Sequence, residues 1–310
     1  MTIKVLFVGR AKKSSKVSPL IINQANYLKH QGITIHFYAI KGRYFSNYQP
    51  LRKQIKSNNY DIIHAHYSLS GILASLTTNK PVVVSLMSSL ENKNLRYYII
   101  KFFIRFIWSK TIVKSKKAAL NLKNKSLEVI PNGIDLSLYQ NLDKTRLRKK
   151  LNLRAEKKYV IFVANPNRQV KNFPLTENAF RLLNRKNVEL LTVYNKTHQE
   201  VIEYMIAADA LILTSLSEGS PNVIKEALAC NLPIVTTNVG DVRWLLQNVK
   251  GTYISNSFDE NEIAKLLQQA LSFEGTVNGK EKLIQLQLDS ITISQRIIEL
   301  YKPLLHDYKD

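Results

Sequence analysis

The sequence predicts an α/β protein made of two Rossmann-like, doubly wound parallel-sheet domains, and three observations carry that prediction. Short apolar runs alternate with stretches long enough for helices. The alternation stops at a charged stretch and restarts beyond it. The chain then ends on a helical pattern with no strand after it. Strand, helix, strand at this spacing means parallel βαβ units, because parallel neighbours can only be joined by a crossover long enough to hold a helix.

Six runs rich in β-branched residues open the chain: IKVLFV (3–8), ITIHFYAI (33–40), DIIHAHY (61–67), PVVVSL (81–86), TIVK (111–114) and LEVIP (127–131). The charged stretch DKTRLRKKLNLRAEKK (143–158) reads as a linker. Beyond it come YVIFVA (159–164), VELLTVY (188–194), ADALILT (208–214), LPIVTT (232–237) and GTYIS (251–255). ISQRIIELYKPLL (293–305) is the closing helix. These runs place a first domain at 1–142, a linker at 143–158, a second domain at 159–290 and a C-terminal helix at 291–310 that can cross back. Two such domains face a cleft, and open sheets bind ligands beyond the carboxyl ends of their strands.

With 45% hydrophobic residues the chain can bury a core, which excludes wholesale disorder. Its single cysteine, Cys230, lies in the apolar helix end EALAC and has no partner for an internal disulfide. The start, MTIKVLFVGRAKK, reads as a strand and a basic loop rather than a signal peptide, and no apolar run reaches the roughly 18 residues of a membrane span. A cytoplasmic protein is the expectation. Charge divides unevenly: residues 1–150 hold 27 Lys and Arg against 5 Asp and Glu, whereas residues 151–310 hold 18 against 18. So one-sided a field calls for an anionic partner on the first half.

The loops after strands are where chemistry is expected. Strand 209–214 runs into Ser217-Glu218-Gly219-Ser220, and a helix is expected to start near Pro221. The unpaired N–H groups of that helix start face the cleft, and Gly219 lets a ligand approach the backbone. Glu226 lies one to two turns further in, where a carboxylate can accept hydrogen bonds from a vicinal diol.

Glu218, seven intervening residues and Glu226, within EGSPNVIKEALACNLPIV, resemble the E-x7-E signature of the retaining glycosyltransferases of family 4, which have the two-domain GT-B architecture. DIIHAHY (61–67), VIPNGID (129–135) and the Arg168/Lys171 pair in VANPNRQVKNFPL extend the resemblance over most of the chain. It implies that Glu226 binds the ribose of a nucleotide diphosphate sugar, with Gly219, Ser220, Pro221 and Asn222 around the donor. Glu218 would lie near the transferred sugar, and Arg168 and Lys171 would neutralise the diphosphate. That last role also follows from charge alone, since the leaving diphosphate gains negative charge as the glycosidic bond breaks. No metal or other cofactor is then required. The acceptor, lipid-linked or glycan, would meet the first domain at Gly9, His66, Met87 and Asn132.

The departures from the family pattern fall in the first domain. Met87 and Ser88 occupy the places of a frequent His-Gly, and the loop VGRAKKSSKVSPL (8–20) lacks the frequent paired glycines. Between 188–194 and 208–214 there is room for one helix only. His64 and His66 share a strand face, but no third metal ligand of suitable spacing accompanies them. LRYYIIKFFIRFIWSK (95–110) mixes aromatic and aliphatic residues with four cations, a composition suited to a helix lying on an anionic membrane surface. Two rivals share some of these features. A nucleotide-sugar epimerase has the same architecture, and a nucleic-acid-binding protein would explain the charge, although no nucleic-acid-binding signature is present.

Overall fold

The computed structural model describes residues 3–11, 17–87, 94–124 and 127–305. They form two wholly parallel sheets. The first holds β1 (Lys4–Arg10), β2 (Thr34–Ile40), β3 (Ile62–His66), β4 (Val82–Leu86), β5 (Lys110–Val113) and β6 (Leu127–Val129), in the order β2-β1-β3-β4-β5-β6. The second holds β7 (Lys158–Phe162), β8 (Val188–Thr192), β9 (Ala210–Leu213), β10 (Ile234–Thr237) and β11 (Thr252–Ser255), in the order β11-β10-β9-β7-β8. Helices cover both faces, so β3, β4, β9 and β10 are buried along their whole length and read as nearly unbroken apolar runs. In each sheet the strand order reverses once, between β1 and β3 and between β7 and β9. A crevice opens at such a reversal, beyond the carboxyl ends of the two strands.

The chain divides into two compact units. One runs to Gly133 and resumes at Ser290; the other is Ile134–Asp289. The sequence-based boundary at 142 therefore moves back, and the charged stretch 143–158 is no free linker. It holds the helix Lys144–Lys150, fastened to the second unit by Asp209. That carboxylate accepts from Lys144 Nζ at 2.8 Å, Arg148 Nη2 at 2.6 Å and the backbone N–H of Tyr159 at 2.6 Å. Lys150 pairs with Glu203 at 2.6 Å and Lys157 with Glu189, so four of the stretch's cations have acidic partners.

The closing helix, Ser290–Tyr301, belongs to the first unit. Arg296 donates to the Val129 carbonyl at 2.7 Å, and a Cβ at Gly133 would lie 2.8 Å from Ser290 Cα, so only glycine allows that approach. Tyr301 reaches the centre of the sheet. Its hydroxyl lies 2.5 Å from His64 Nδ1, while His64 Nε2 lies 2.9 Å from Ser85 Oγ. Burial first, and the Lys114 charge second, pull His64 down to about 3. The ring is neutral, and two hydroxyls satisfy its one donor and one acceptor.

Leu95–Phe106 is shorter than the 95–110 helix expected, because Lys110 already begins β5. Asn94 caps it by accepting from the Tyr97 N–H. Tyr97, Ile100 and Ile104 face the core, and Phe103 packs there too, its ring 5.7 Å from that of Trp108. Phe102 and Phe106 point outward, 54% and 65% exposed, together with Leu95, Tyr98 and Ile99. No described helix is long and apolar enough to cross a membrane.

Tyr301→Phe should leave His64 Nδ1 buried without its partner and cost roughly 1–3 kcal/mol in chemical denaturation, the penalty for an unsatisfied buried polar group. An unchanged unfolding midpoint would show that the hydroxyl contributes nothing to holding the closing helix.

Candidate functional site

The crevice of the second sheet is framed by the loops that follow β7 and β9. The first loop carries Arg168 and a short 3-10 turn, Gln169–Lys171; the second carries Thr214 to Ser220. They are tied together by backbone, where Leu216 N–H donates to the Val170 carbonyl at 2.9 Å. Side chains reinforce that tie. Lys171 Nζ donates to Glu218 Oε1 at 2.5 Å, Ser215 Oγ donates to the same oxygen at 2.8 Å, and Thr214 Oγ1 donates to the Asn172 carbonyl at 3.0 Å. Lys171 is 14% exposed and Glu218 16%. Lys171 is thus half of an ion pair withdrawn from water. Arg168 precedes the turn, exposed, with its N–H bonded to the Asn165 carbonyl at 3.1 Å.

The loop Glu218–Ser220 is fixed from its other side by Gly240, whose φ of +56° favours glycine. A Cβ there would overlap the Gly219 carbonyl, which instead accepts from the Asp241 N–H at 3.0 Å. Gly219 itself faces open space. The Ser220 hydroxyl is buried without a hydrogen-bond partner among the described residues, a polar group suited to a ligand. The helix begins one residue later than expected, at Asn222, because Pro221 keeps an extended ψ of 118°.

Glu226 lies on that helix, Asn222–Ala229, with its carboxylate 17% exposed. Its Oε1 is 3.3 Å from Nε2 of His198, the first residue of the helix His198–Ala207. Sequence reasoning missed His198. The available signal was Thr197 followed three residues on by Glu200, which does form a capping box and fixes where the helix starts. Cys230, at the helix end, is half-buried, and desolvation pushes its thiol well up, away from thiolate character.

The residues expected to meet an acceptor lie in the first unit. Gly9 ends up buried near the tip of β1, where a Cβ would press on Ile21 Cδ1 at 3.1 Å. His66, at the tip of β3, is fully buried and stacked on His64 at 4.6 Å, and burial holds its pKa well below the ordinary value. Gly9 and His66 thus flank the reversal between β1 and β3, but as packed groups. Met87, just past β4, and Asn132 are half-buried. Ser88 and loop residues 12–16 lie outside the described residues. No group of three His, Cys, Asp or Glu side chains able to hold a metal occurs among the described residues.

Residues 5–138 match the family described as Glycosyltransferase Family 4, and residues 172–272 match Glycosyl transferases group 1. Together these matches take in most of the chain. TuaC of Bacillus subtilis, named for teichuronic acid biosynthesis, is 28% identical over 210 residues, 59% of this chain and 54% of that protein. The chain thus spans about half the length of that relative. An Escherichia coli UDP-Gal:alpha-D-GlcNAc-diphosphoundecaprenol alpha-1,3-galactosyltransferase is 23% identical over 244 residues, 64% of this chain and 63% of that one. Among solved structures, HepE of Anabaena in complex with UDP superimposes with a TM-score of 0.73 at 17% identity, covering 97% of this chain and 100% of that one.

Gly240→Ala should cost more than the roughly 1–2 kcal/mol of a left-handed non-glycine residue, because the new methyl must also displace the Gly219 carbonyl. Chemical denaturation measures it, and a cost below that range would mean the two loops are not in contact.

Proposed function

From the chain's membership of the family-4-like glycosyltransferases of GT-B fold, we propose that it moves a sugar from a nucleotide diphosphate donor to a lipid-linked or glycan acceptor with retention of anomeric configuration. The observation that carries the reading is the Lys171–Glu218 pair at the strand-order reversal of the second sheet, with the buried Ser220 hydroxyl beside it and Glu226 on the helix that follows. Arg168 and Lys171 bind the diphosphate and stabilise the charge it gains on leaving. Glu218, held by Lys171 and Ser215, faces the sugar; Glu226 accepts from the ribose hydroxyls. With these cations no divalent metal is needed to neutralise the leaving group, so turnover should survive EDTA. Support for the donor class comes from the UDP complex of HepE and the UDP-galactose of the Escherichia coli relative, and the latter's diphosphoundecaprenol substrate supports a lipid-linked acceptor in surface polysaccharide synthesis. A nucleotide-sugar epimerase, the alternative, would turn over donor with no acceptor present.

The first unit binds the acceptor at an anionic membrane surface. From residue 94 to residue 124 there is no Asp or Glu, and Arg96, Lys101 and Arg105 lie on the same helix as the outward aromatics, Leu95–Phe106. Cations beside exposed rings and aliphatics fit lipid head groups and the acyl boundary beneath them.

A thermal-shift screen of nucleotide sugars should show stabilisation of ~2.7 kcal/mol at a hundred times the dissociation constant. Glu226→Ala should weaken donor binding by roughly the 1.5–3 kcal/mol of a hydrogen bond to a charged group. Arg168→Ala should lower turnover by about one to three orders of magnitude with the melt unchanged, whereas Lys171→Ala should lower both, having stranded Glu218. No stabilisation by any nucleotide sugar would sink the reading. Phe102→Ser with Phe106→Ser, sparing the packed Phe103, should loosen binding to vesicles of anionic phospholipid in a salt-sensitive way while donor affinity holds. A folded double variant that sediments as the parent does would remove the membrane from the scheme.

A further inference from the structure

Glu226 has a neighbour for which the transfer scheme gives no role. His198 opens its helix at a position where the N-terminal dipole disfavours a cation, yet its Nε2 is directed at the Glu226 carboxylate. The capping box makes this placement rigid: Glu200 N–H donates to Thr197 Oγ1 at 3.2 Å, and Glu200 Oε2 accepts from Thr197 N–H at 2.8 Å. Glu226 Oε1 is thereby engaged. We propose that His198 is a positioning residue for the donor's ribose: its imidazolium anchors Glu226 Oε1, so that the carboxylate is held in one rotamer for a vicinal diol. This rests on the donor reading given above.

The surroundings make that anchor titratable. Facing the His198–Glu226 pair are Asp135 and Tyr139 at the turn Leu136–Tyr139, Cys230 from the helix end and, on the Glu226 helix, the buried Lys225, which burial pulls down to about 8; Lys196 and Glu200 flank His198 on its own segment. Lys196 and Glu200 are paired with each other at 3.2 Å. Tyr139 and Cys230 stay neutral, since burial first and the Glu226 charge next push both of them up. The hydrogen bond to Glu226 raises the His198 pKa, burial opposes it, and the charges of Glu226 and Asp135 add to the rise. A raised folded-state pKa means the charged pair is complete below the ordinary histidine value and is lost as pH climbs through the raised one. Nucleotide affinity should therefore be highest on the acid side and fall with rising pH.

Calorimetric titrations with UDP, GDP and ADP, the tightest binder being followed from about pH 6 to about pH 8.5, test this. The wild-type affinity should decline across that range. His198→Ala should bind about tenfold more weakly at the acid end and show no slope, with turnover at saturating donor within about twofold of the parent. His198→Gln, which keeps an N–H donor without the titration, should recover most of the affinity and also be flat; it decides the matter if the alanine variant does not fold. Variants with the parent's affinity and slope would overturn the inference while leaving the donor reading standing. A wild type that binds none of the three nucleotides would overturn both.

Discussion

An ion pair of 2.5 Å between Lys171 and Glu218, both about five-sixths removed from solvent, is the constraint around which the second unit's ligand loops are arranged. Separated by 47 residues in sequence, the two side chains meet only because β7 and β9 are adjacent and parallel and their loops leave the sheet on the same side. Charges so far out of water repel burial unless they are paired and hydrogen-bonded, and here Ser215 supplies the additional donor. The arrangement also limits how much positive charge the site can offer. Lys171 is shared with Glu218, so on the proposed reading an incoming diphosphate would compete for it, and further positive charge would come from Arg168 and from the N–H groups that open Asn222–Ala229.

The architecture was legible because parallel strands, buried on both faces, announce themselves as apolar runs, and the glutamate pair was legible because a strand, turn and helix carry it within one short segment. What escaped was long-range. Residues 143–158 look like a linker by composition; the acid that fastens their cations is Asp209, some sixty positions later, and nothing local marks it as a partner. His64 resembled half of a metal pair until Tyr301, 237 residues away, supplied a hydroxyl. Phe103 could not be separated from Phe102 and Phe106 by periodicity on a helix apolar nearly all round, and only the position of the core resolved it. His198 was invisible for the same reason, since its meaning depends on an approach to Glu226 that spacing along the chain does not encode.

Redrawn on the structural units, the charge asymmetry keeps its sense but changes its cause. The first unit has 25 Lys and Arg against 6 Asp and Glu, the second 20 against 17. In the second unit the acids are distributed where cations can use them, at Asp209, Glu203, Glu189 and Glu218. The first unit lacks acids to do the same, so its cations sum to a field instead of cancelling in pairs. A field of that kind attracts polyanions generally. On the proposed membrane reading, what narrows the partner is the apolar surface of Leu95–Phe106, since exposed rings favour an interface with an acyl layer below the charge over a fully solvated polyanion.

The two glutamates of the motif are thus held by different cations, and the difference has chemical content. Glu218 is held by a lysine ammonium and a serine hydroxyl. Glu226 is held by an imidazole whose pKa the pairing itself raises. On the proposed reading, the pH-sensitive contact therefore belongs to recognition of the nucleoside. One helix of eight residues, begun by a proline that cannot yet be helical, carries one glutamate within itself and the other just before its start. The difference between the two carboxylates therefore follows from what each one touches: the loop after β7 for Glu218, and the helix beyond β8 for Glu226.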